Sequence, residues 1–386
     1  MGDHATRLPL EQPDRRSTYG RALLLAALLY VFLVGVNGLG AGLRLLGGGL
    51  LDDIFRATAN PFLGLVIGVL GTSLVQSSSV TTSVIVAMVA APENALPLTN
   101  AVPMIMGANI GTTVTNTMVS LAHMRDRDEF RRAFAVATCH DWFNFLTVVL
   151  LLPLELALGF LQHSAEWLAA LATGWGGVSY HSPIEGAIRA GIGPIKRALA
   201  ALTPLAQIQA VLLIAASAAM IYVALIFIVK TMRSLVKRQV ESAISRALDS
   251  NPMISMAVGM VVTIMVQSSS ITTSLLVPLG GAGVITLAQA FPTTIGANAG
   301  TTVTALIAAA SVSGPHAAAG VTIALVHFLF NVAGTVLIYP LKPIRNIPLS
   351  LARRLADVAA RSRWAAVAYV GFFFYLLPAI LAWLSR

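Results

Sequence analysis

The chain has 386 residues, 56% of them hydrophobic and 11% charged, with a mean hydropathy of +0.80. A soluble globular domain carries about 25% charged residues, so this sequence cannot cover a water-facing surface, and coiled-coil, disordered and nucleic-acid-binding classes are excluded despite a net charge of +9. It reads as an all-α integral membrane protein whose cations sit in loops, where they orient the chain or meet anionic membrane lipids, and whose single cysteine, Cys139, excludes an intrachain disulfide.

Residues 1–20 are basic and predict a cytoplasmic N-terminus. The apolar run from Ala22 to Val36 outlasts a signal-peptide core and lacks a convincing small-residue cleavage site, so 21–46 is a first span. Segment 60–91 is apolar but interrupted by Gln76-Ser77-Ser78-Ser79. Each half is short of the about 20 residues that cross a bilayer, which predicts a re-entrant helical hairpin with its polar tip at mid-membrane. Spans at 96–122 and 133–160 complete a first repeat, 21–160. An extracytoplasmic linker, 161–204, holds a Tyr180-His181-Ser182-Pro183 turn and an amphipathic surface helix around Ile184 to Leu202. The second repeat, 205–341, has a span at 205–230, a cytoplasmic helical extension over 230–250, a second hairpin at 251–282 and spans at 286–312 and 317–341. A basic cytoplasmic segment, 342–363, and a terminal transmembrane helix, 364–386, follow, for seven full spans in all.

The two repeats match residue by residue. Asn60-Pro61, Thr72, Gln76-Ser77-Ser78-Ser79 and Thr81-Thr82-Ser83 recur 191 positions later as Asn251-Pro252, Thr263, Gln267-Ser268-Ser269-Ser270 and Thr272-Thr273-Ser274. Gly107-Ala108-Asn109-Ile110-Gly111-Thr112-Thr113 returns 189 positions on from Gly296, and His140, Phe143, Asn144 and Pro153 return at 187 as His327, Phe330, Asn331 and Pro340. Three blocks in one order at a nearly constant offset are a true repeat. Arg125, Arg127, Arg131 and Arg132 follow the first Gly-Ala-Asn block, whereas the equivalent turn, Ser311 to Ala317, carries only His316. The asymmetry reverses between 342–363, with six Lys or Arg, and its counterpart near 155–176, with none. Equivalent loops therefore face opposite sides, which predicts inverted-topology repeats, each with a re-entrant hairpin and a broken helix, and a substrate site where the broken elements meet.

A Ser-rich tip alone is as readily a helix cap or a helix contact. Two tips at symmetric positions, each followed by Thr-Thr-Ser, point to a transport site. Exposed N–H groups of a first helical turn bind anions, and Ser77, Ser78, Ser79, Ser268, Ser269 and Ser270 with the carboxamides of Gln76 and Gln267 add neutral donors suited to a tetrahedral oxyanion. In the Gly-Ala-Asn blocks, glycines four apart suit close helix packing, but Asn109, Asn298 and the neighbouring hydroxyls favour an unwound stretch lining the cavity, with both asparagines facing substrate. Thr112 and Thr115, and Thr301 and Thr304, each share a helical face and supply oxygens for a small hard cation. Neither hairpin nor block holds a Lys or Arg, so an anion there is balanced by helix N-termini and co-bound cations, which points to symport. Asp141, the acidic residue well inside a predicted span, is either a functional carboxylate or a structural partner of His140 or Asn144. Its second-copy equivalent is Phe328, and the histidines read as packing residues with no metal-site spacing.

The doubled Gln-Ser-Ser-Ser motif, Gly-Ala-Asn-Ile-Gly-Thr-Thr, His140-Asp141-Trp142-Phe143-Asn144 and the Leu151-Leu152-Pro153-Leu154-Glu155 run, set in a duplication over about residues 21–384, resemble the type II sodium-dependent phosphate cotransporter family. The resemblance implies sodium-driven uptake of inorganic phosphate by an elevator-like movement in the inner (plasma) membrane, with sodium as co-substrate and no cofactor. It implies phosphate at Gln76 to Ser79 and Gln267 to Ser270, sodium at Thr301, Thr304 and Gln267, and a further sodium at Asp141 in charge-translocating members. Without the cysteine-bearing outer loop and long tail of animal members, the chain resembles a minimal bacterial one ending outside, with a homodimer left open. Two other readings stand beside it. A sodium-coupled carboxylate symporter usually recruits an arginine or paired Ser-Asn motifs to the carboxylate, and the hairpins hold no arginine; a membrane-embedded hydrolase needs a base near its serine, and no Gly-x-Ser-x-Gly or Ser-x-x-Lys occurs there.

Overall fold

The computed structural model describes residues 15–46, 58–91, 95–174, 185–248, 250–312 and 316–384, and every regular element among them is helical. The start of the expected cytoplasmic N-terminus, the Tyr180 to Pro183 turn and part of the Ser311 to Ala317 turn lie outside the described residues.

Helix α1 (Arg15–Leu46) precedes the first interrupted segment. Here Asn60 caps α2 (Pro61–Val75) by accepting from the Phe62 and Leu63 N–H groups at 3.0 and 3.4 Å, with Pro61 in the first turn, where its missing N–H costs nothing. After a two-residue break comes α3 (Ser78–Val89). Next are α4 (Leu98–Gly111) and α5 (Val114–Leu121), separated at Thr112-Thr113. Asp126 caps α6 (Arg127–Leu158), whose first turn is acidic as the helix dipole favours, and Gly159 ends it at φ +59°. The linker contributes α7 (Phe160–Gly174) and α8 (Glu185–Leu202). Span and extension then form one 43-residue helix, α9 (Ala206–Leu248), about 65 Å long at 1.5 Å per residue.

The second copy repeats the caps. Asn251 accepts from Met253 N–H at 2.9 Å to start α10 (Pro252–Val266), and the break leads into α11 (Ser269–Ser274) and α12 (Leu276–Gly281). A Thr286/Gln289 capping box opens α13 (Leu287–Ala310). There follow α14 (Ala317–Ile338), α15 (Lys342–Arg361), α16 (Arg363–Gly371), a π turn (Phe372–Leu376) and α17 (Leu377–Leu384).

Among the described residues five stretches are long and apolar enough to cross a membrane: Tyr19–Leu46, Arg127–Leu158, Ala206–Arg233, Ala317–Ile338 and Trp364–Leu381. Two of the seven expected spans, 96–122 and 286–312, are not among these five. Segment 96–122 is split into α4 and α5, and segment 286–312 is unbroken as α13, so the expected unwinding of both Gly-Ala-Asn blocks occurs in the first copy alone. Both helices tolerate a polar, glycine-rich sequence because they are encased in protein: every residue from Ala101 to Gly111 is buried.

Helices have no hydrophobic drive toward one another in lipid and associate through close contact and internal hydrogen bonds. The block glycines provide that contact. A Cβ on Gly107 would overlap the Leu65 carbonyl of α2, and one on Gly296 would overlap the equivalent Met256 carbonyl of α10. Contacts between the copies are reciprocal. The linker helix α7 packs on α14 of the second copy while α15 packs on α6 of the first; α3 packs on α13, and α11 and α12 pack on α5 and α6. Phe134, Phe330 and Phe374, all fully buried, belong to one large core cluster.

Gly107→Ala and Gly296→Ala should each destabilise the protein by about 1–3 kcal/mol, the usual range for overpacking. The midpoint of thermal unfolding in detergent should fall, whereas Gly371→Ala, with nothing within 4 Å, should not lower it. Equal midpoints for all three would contradict the close crossings.

Candidate substrate cavity

The site is built on two glutamines. Gln76 (φ 55°) and Gln267 (φ 58°) are the non-glycine residues with positive φ among those described. Each donates its N–H to a threonine carbonyl one turn back, Thr72 and Thr263, at 2.7 Å, closing α2 and α10. The left-handed conformation costs a residue with a side chain about 1–2 kcal/mol, and glycine is the usual occupant at such a helix end. Here glutamine takes that place twice, at equivalent positions of the two copies. Ser77 and Ser268 then cap the next helices, their hydroxyls accepting from the N–H groups of Val80 at 3.3 Å and Ile271 at 3.4 Å.

The two breaks meet. Gln76 to Ser79 and Gln267 to Ser270 line one cavity of about 170 Å³, walled on another side by Leu225, Ile226 and Val229 of α9. One water needs about 10–15 Å³ by this measure, so a small hydrated ion or oxyanion has room. No lining residue is ionisable. At its edge the copies join: Ser79 donates to the Thr304 hydroxyl at 3.4 Å, and Thr304 donates to Gln267 Oε1 at 2.9 Å. Gln267 Nε2 donates to the Ile264 carbonyl at 2.6 Å, while Gln76 Nε2 meets Met118 Sδ at 3.8 Å.

The remaining candidates lie elsewhere. Thr112 and Thr301 donate back to the Ala108 and Ala297 carbonyls of their own helices at 3.0 and 3.2 Å, and Thr115 is half-buried on α5. Asn109 and Asn298, expected to face substrate, do not line the cavity. They form a buried network with the helices behind it. Asn298 Nδ2 donates to Asn144 Oδ1 at 2.8 Å, and the equivalent pair, Asn331 Nδ2 to Asn109 Oδ1, lies at 3.2 Å. Asn144 Nδ2 also donates to the Asn109 carbonyl at 2.9 Å, and His327 Nε2 lies 3.2 Å from Asn109 Oδ1. The reason is helical geometry. Gly107 and Gly296 face α2 and α10, and a residue two positions on points about 200° away.

Asp141 is fully buried, and its partner is neither His140 nor Asn144. Tyr369 of α16 donates to Asp141 Oδ2 at 2.8 Å, while Oδ1 is buried without a hydrogen-bond partner. Sequence reasoning missed Tyr369, since nothing in a terminal apolar helix signals a partner 228 positions away. It also missed Asn116, whose Oδ1 accepts from Thr273 at 3.0 Å and Ser274 at 3.1 Å and so ties α5 to the second Gln-Ser-Ser-Ser element. Its second-copy counterpart is Ala305, so the repeat did not flag it. Among the described residues no group of three or more His, Cys, Asp or Glu could hold a metal ion, and the polar lining of the cavity is hydroxyl, carboxamide and backbone.

Residues 31–169 and 207–348 match the family model described as Na+/Pi-cotransporter. The chain is 35% identical to sodium-dependent phosphate transport protein 2A of Rattus norvegicus over 430 residues, covering 94% of this chain and 67% of that protein. It is 36% identical to protein 2A of Oryctolagus cuniculus over 438 residues, with the same coverage. To sodium-dependent phosphate transport protein 2B of Homo sapiens it is 33% identical over 454 residues, covering 95% of this chain and 65% of that protein. No solved structure matches the chain. With both copies matched and the motifs in register, the chain belongs to the Na+/Pi-cotransporter family.

Proposed function

We propose that this chain is a multi-pass membrane transporter that moves inorganic phosphate together with sodium, and that both Gln-Ser-Ser-Ser breaks hold one phosphate in the cavity they share. The observation that carries this reading is that eight polar residues, 191 positions apart in the sequence, line one uncharged cavity. Phosphate entering it loses hydration, and the first N–H groups of α3, which lack intrahelical acceptors, replace part of that shell together with the serine hydroxyls and two carboxamides. Neutral donors do not cancel the charge. Sodium bound at the same time does, and that mutual requirement couples the two fluxes. The Gln267–Thr304–Ser79 chain offers oxygens for one cation beside the anion. A carboxylate symporter fits less well, because no arginine reaches the cavity to pair with a carboxylate.

Inverted repeats, re-entrant hairpins and elevator-like alternating access are part of the same proposal. Reciprocal packing of α7 on α14 and α15 on α6 supports a two-fold relation between copies. Asp357 of α15 lies 3.5 Å from Arg131, which supports placing the two basic segments on one side of the membrane, the cytoplasmic side under the positive-inside rule. Asp141, with one oxygen held by Tyr369 and the other free, is proposed to take an additional sodium, so that divalent phosphate moves with surplus positive charge. Membrane potential would then contribute about 2.3 kcal/mol per net charge per 100 mV.

Radiolabelled phosphate should accumulate in proteoliposomes under an inward sodium gradient. Uptake unchanged when sodium is replaced by choline on both sides would overturn the proposal.

Gln76→Gly and Gln267→Gly relieve the left-handed strain and remove the carboxamide, so the two effects should separate. Thermal stability should hold or rise by about 1 kcal/mol or less, while phosphate affinity falls at least about tenfold, the cost of an unpaired polar group being about 1–3 kcal/mol. Wild-type uptake in both variants would remove the carboxamides from the site.

Asp141→Gly should keep sodium-dependent uptake but lose its acceleration by an inside-negative potassium diffusion potential, and Tyr369→Phe should weaken that acceleration. If both variants respond to voltage as the parent does, the Asp141–Tyr369 pair is structural.

A further inference from the structure

A second cavity, about 350 Å³ and sharing no residue with the first, lies between α6, α15 and the turn joining α12 to α13. Its chemistry is the opposite of the neutral substrate cavity. Arg131 and Arg132 enter it from the first turns of α6, and Arg353 enters from α15. Arg131 is offset by carboxylates, with Asp357 at 3.5 Å and Asp128 at 3.7 Å. Arg132 is not: its Nε donates to the Gly281 carbonyl at 2.8 Å, and its guanidinium lies beside Gly283. Arg353 makes no hydrogen bond or ion pair with any described residue. Three arginines thus line one pocket with a single carboxylate, Asp357, which lies against Arg131, and this excess of positive charge favours an entering anion. Guanidinium forks match phosphate oxygens two at a time. The floor is apolar, formed by Val136, Ile285 and Leu287, so the pocket joins a cationic rim to a surface that welcomes hydrocarbon.

We infer that this cavity is a binding site for a phosphate-bearing anion, with Arg132 and Arg353 as its main ligands. Rim and floor together favour the phosphodiester of an anionic phospholipid over free phosphate. Bound there, the anion bridges α6 and α15 of one wall to the end of the second Gln-Ser-Ser-Ser element, whose α12 ends at Gly281.

The test uses the full chain in detergent and sodium-free potassium buffer, with short-chain phosphatidylglycerol, short-chain phosphatidylcholine and inorganic phosphate as separate probes, read by thermal unfolding. Phosphatidylglycerol should stabilise the parent at about tenfold lower concentration than phosphatidylcholine, the size expected of one hydrogen bond to a charged group. Arg353→Gln, which breaks no hydrogen bond or ion pair among the described residues, should abolish that preference and leave the unliganded midpoint unchanged; Arg132→Gln should do the same to the preference, and Gln76→Gly should not. Stabilisation by inorganic phosphate that Arg353→Gln removes and Gln76→Gly retains would identify the free anion as the ligand of the same site. If Arg132→Gln and Arg353→Gln respond to all three probes as the parent does, the cavity is not an anion site.

Discussion

A helix interrupted inside an apolar environment leaves backbone N–H and C=O groups that hydrocarbon cannot solvate, so each interruption must be answered by protein or by ligand. This chain interrupts two helices in the same way, at Gln76-Ser77 and Gln267-Ser268. The glutamine closes the helix behind it in the left-handed conformation, and the serine caps the helix ahead. What local bonds leave unanswered is turned toward the other break. The neutral cavity between them, the α9 wall and the Ser79–Thr304–Gln267 chain follow from placing those two strained turns face to face.

Behind the cavity, the duplication is used as a clasp. Asn144 of the first copy meets Asn298 of the second, and Asn331 of the second meets Asn109 of the first, so the same bond is made twice in opposite senses. Glycines at 107 and 296 let the neighbouring helices close on one another at equivalent crossings. The copies also depart from symmetry. Asp141 stands opposite Phe328 and Asn116 opposite Ala305, and the helix break at Thr112-Thr113 has no counterpart in α13.

Much of this was legible in the chain. The Asn-Pro starts, the Gln-Ser breaks and the offset of 191 lead directly to capped helix pairs, because capping is a local interaction between residues two or three apart. The destination of Asn109 and Asn298 was open to the same arithmetic, since a residue two positions from a packing glycine leaves that face. Other features had no local signature. The break after Gly111 and its absence after Gly300 follow blocks that differ only at Ile110 against Ala299, and the blocks alone do not tell the copies apart. The Tyr369–Asp141 bond and the arginine-lined cavity are products of tertiary packing between segments more than 200 positions apart.

The shared cavity can be observed directly. Phosphorus–nitrogen dipolar recoupling by solid-state NMR, on protein labelled with 15N in the glutamine side chains and loaded with phosphate in sodium, reports which carboxamides lie against the bound anion. Dephasing from two carboxamides is the expected result, with one contribution lost in Gln76→Leu and the other in Gln267→Leu. A signal that survives in both variants, or that disappears in only one, would mean that the two breaks do not hold the same phosphate.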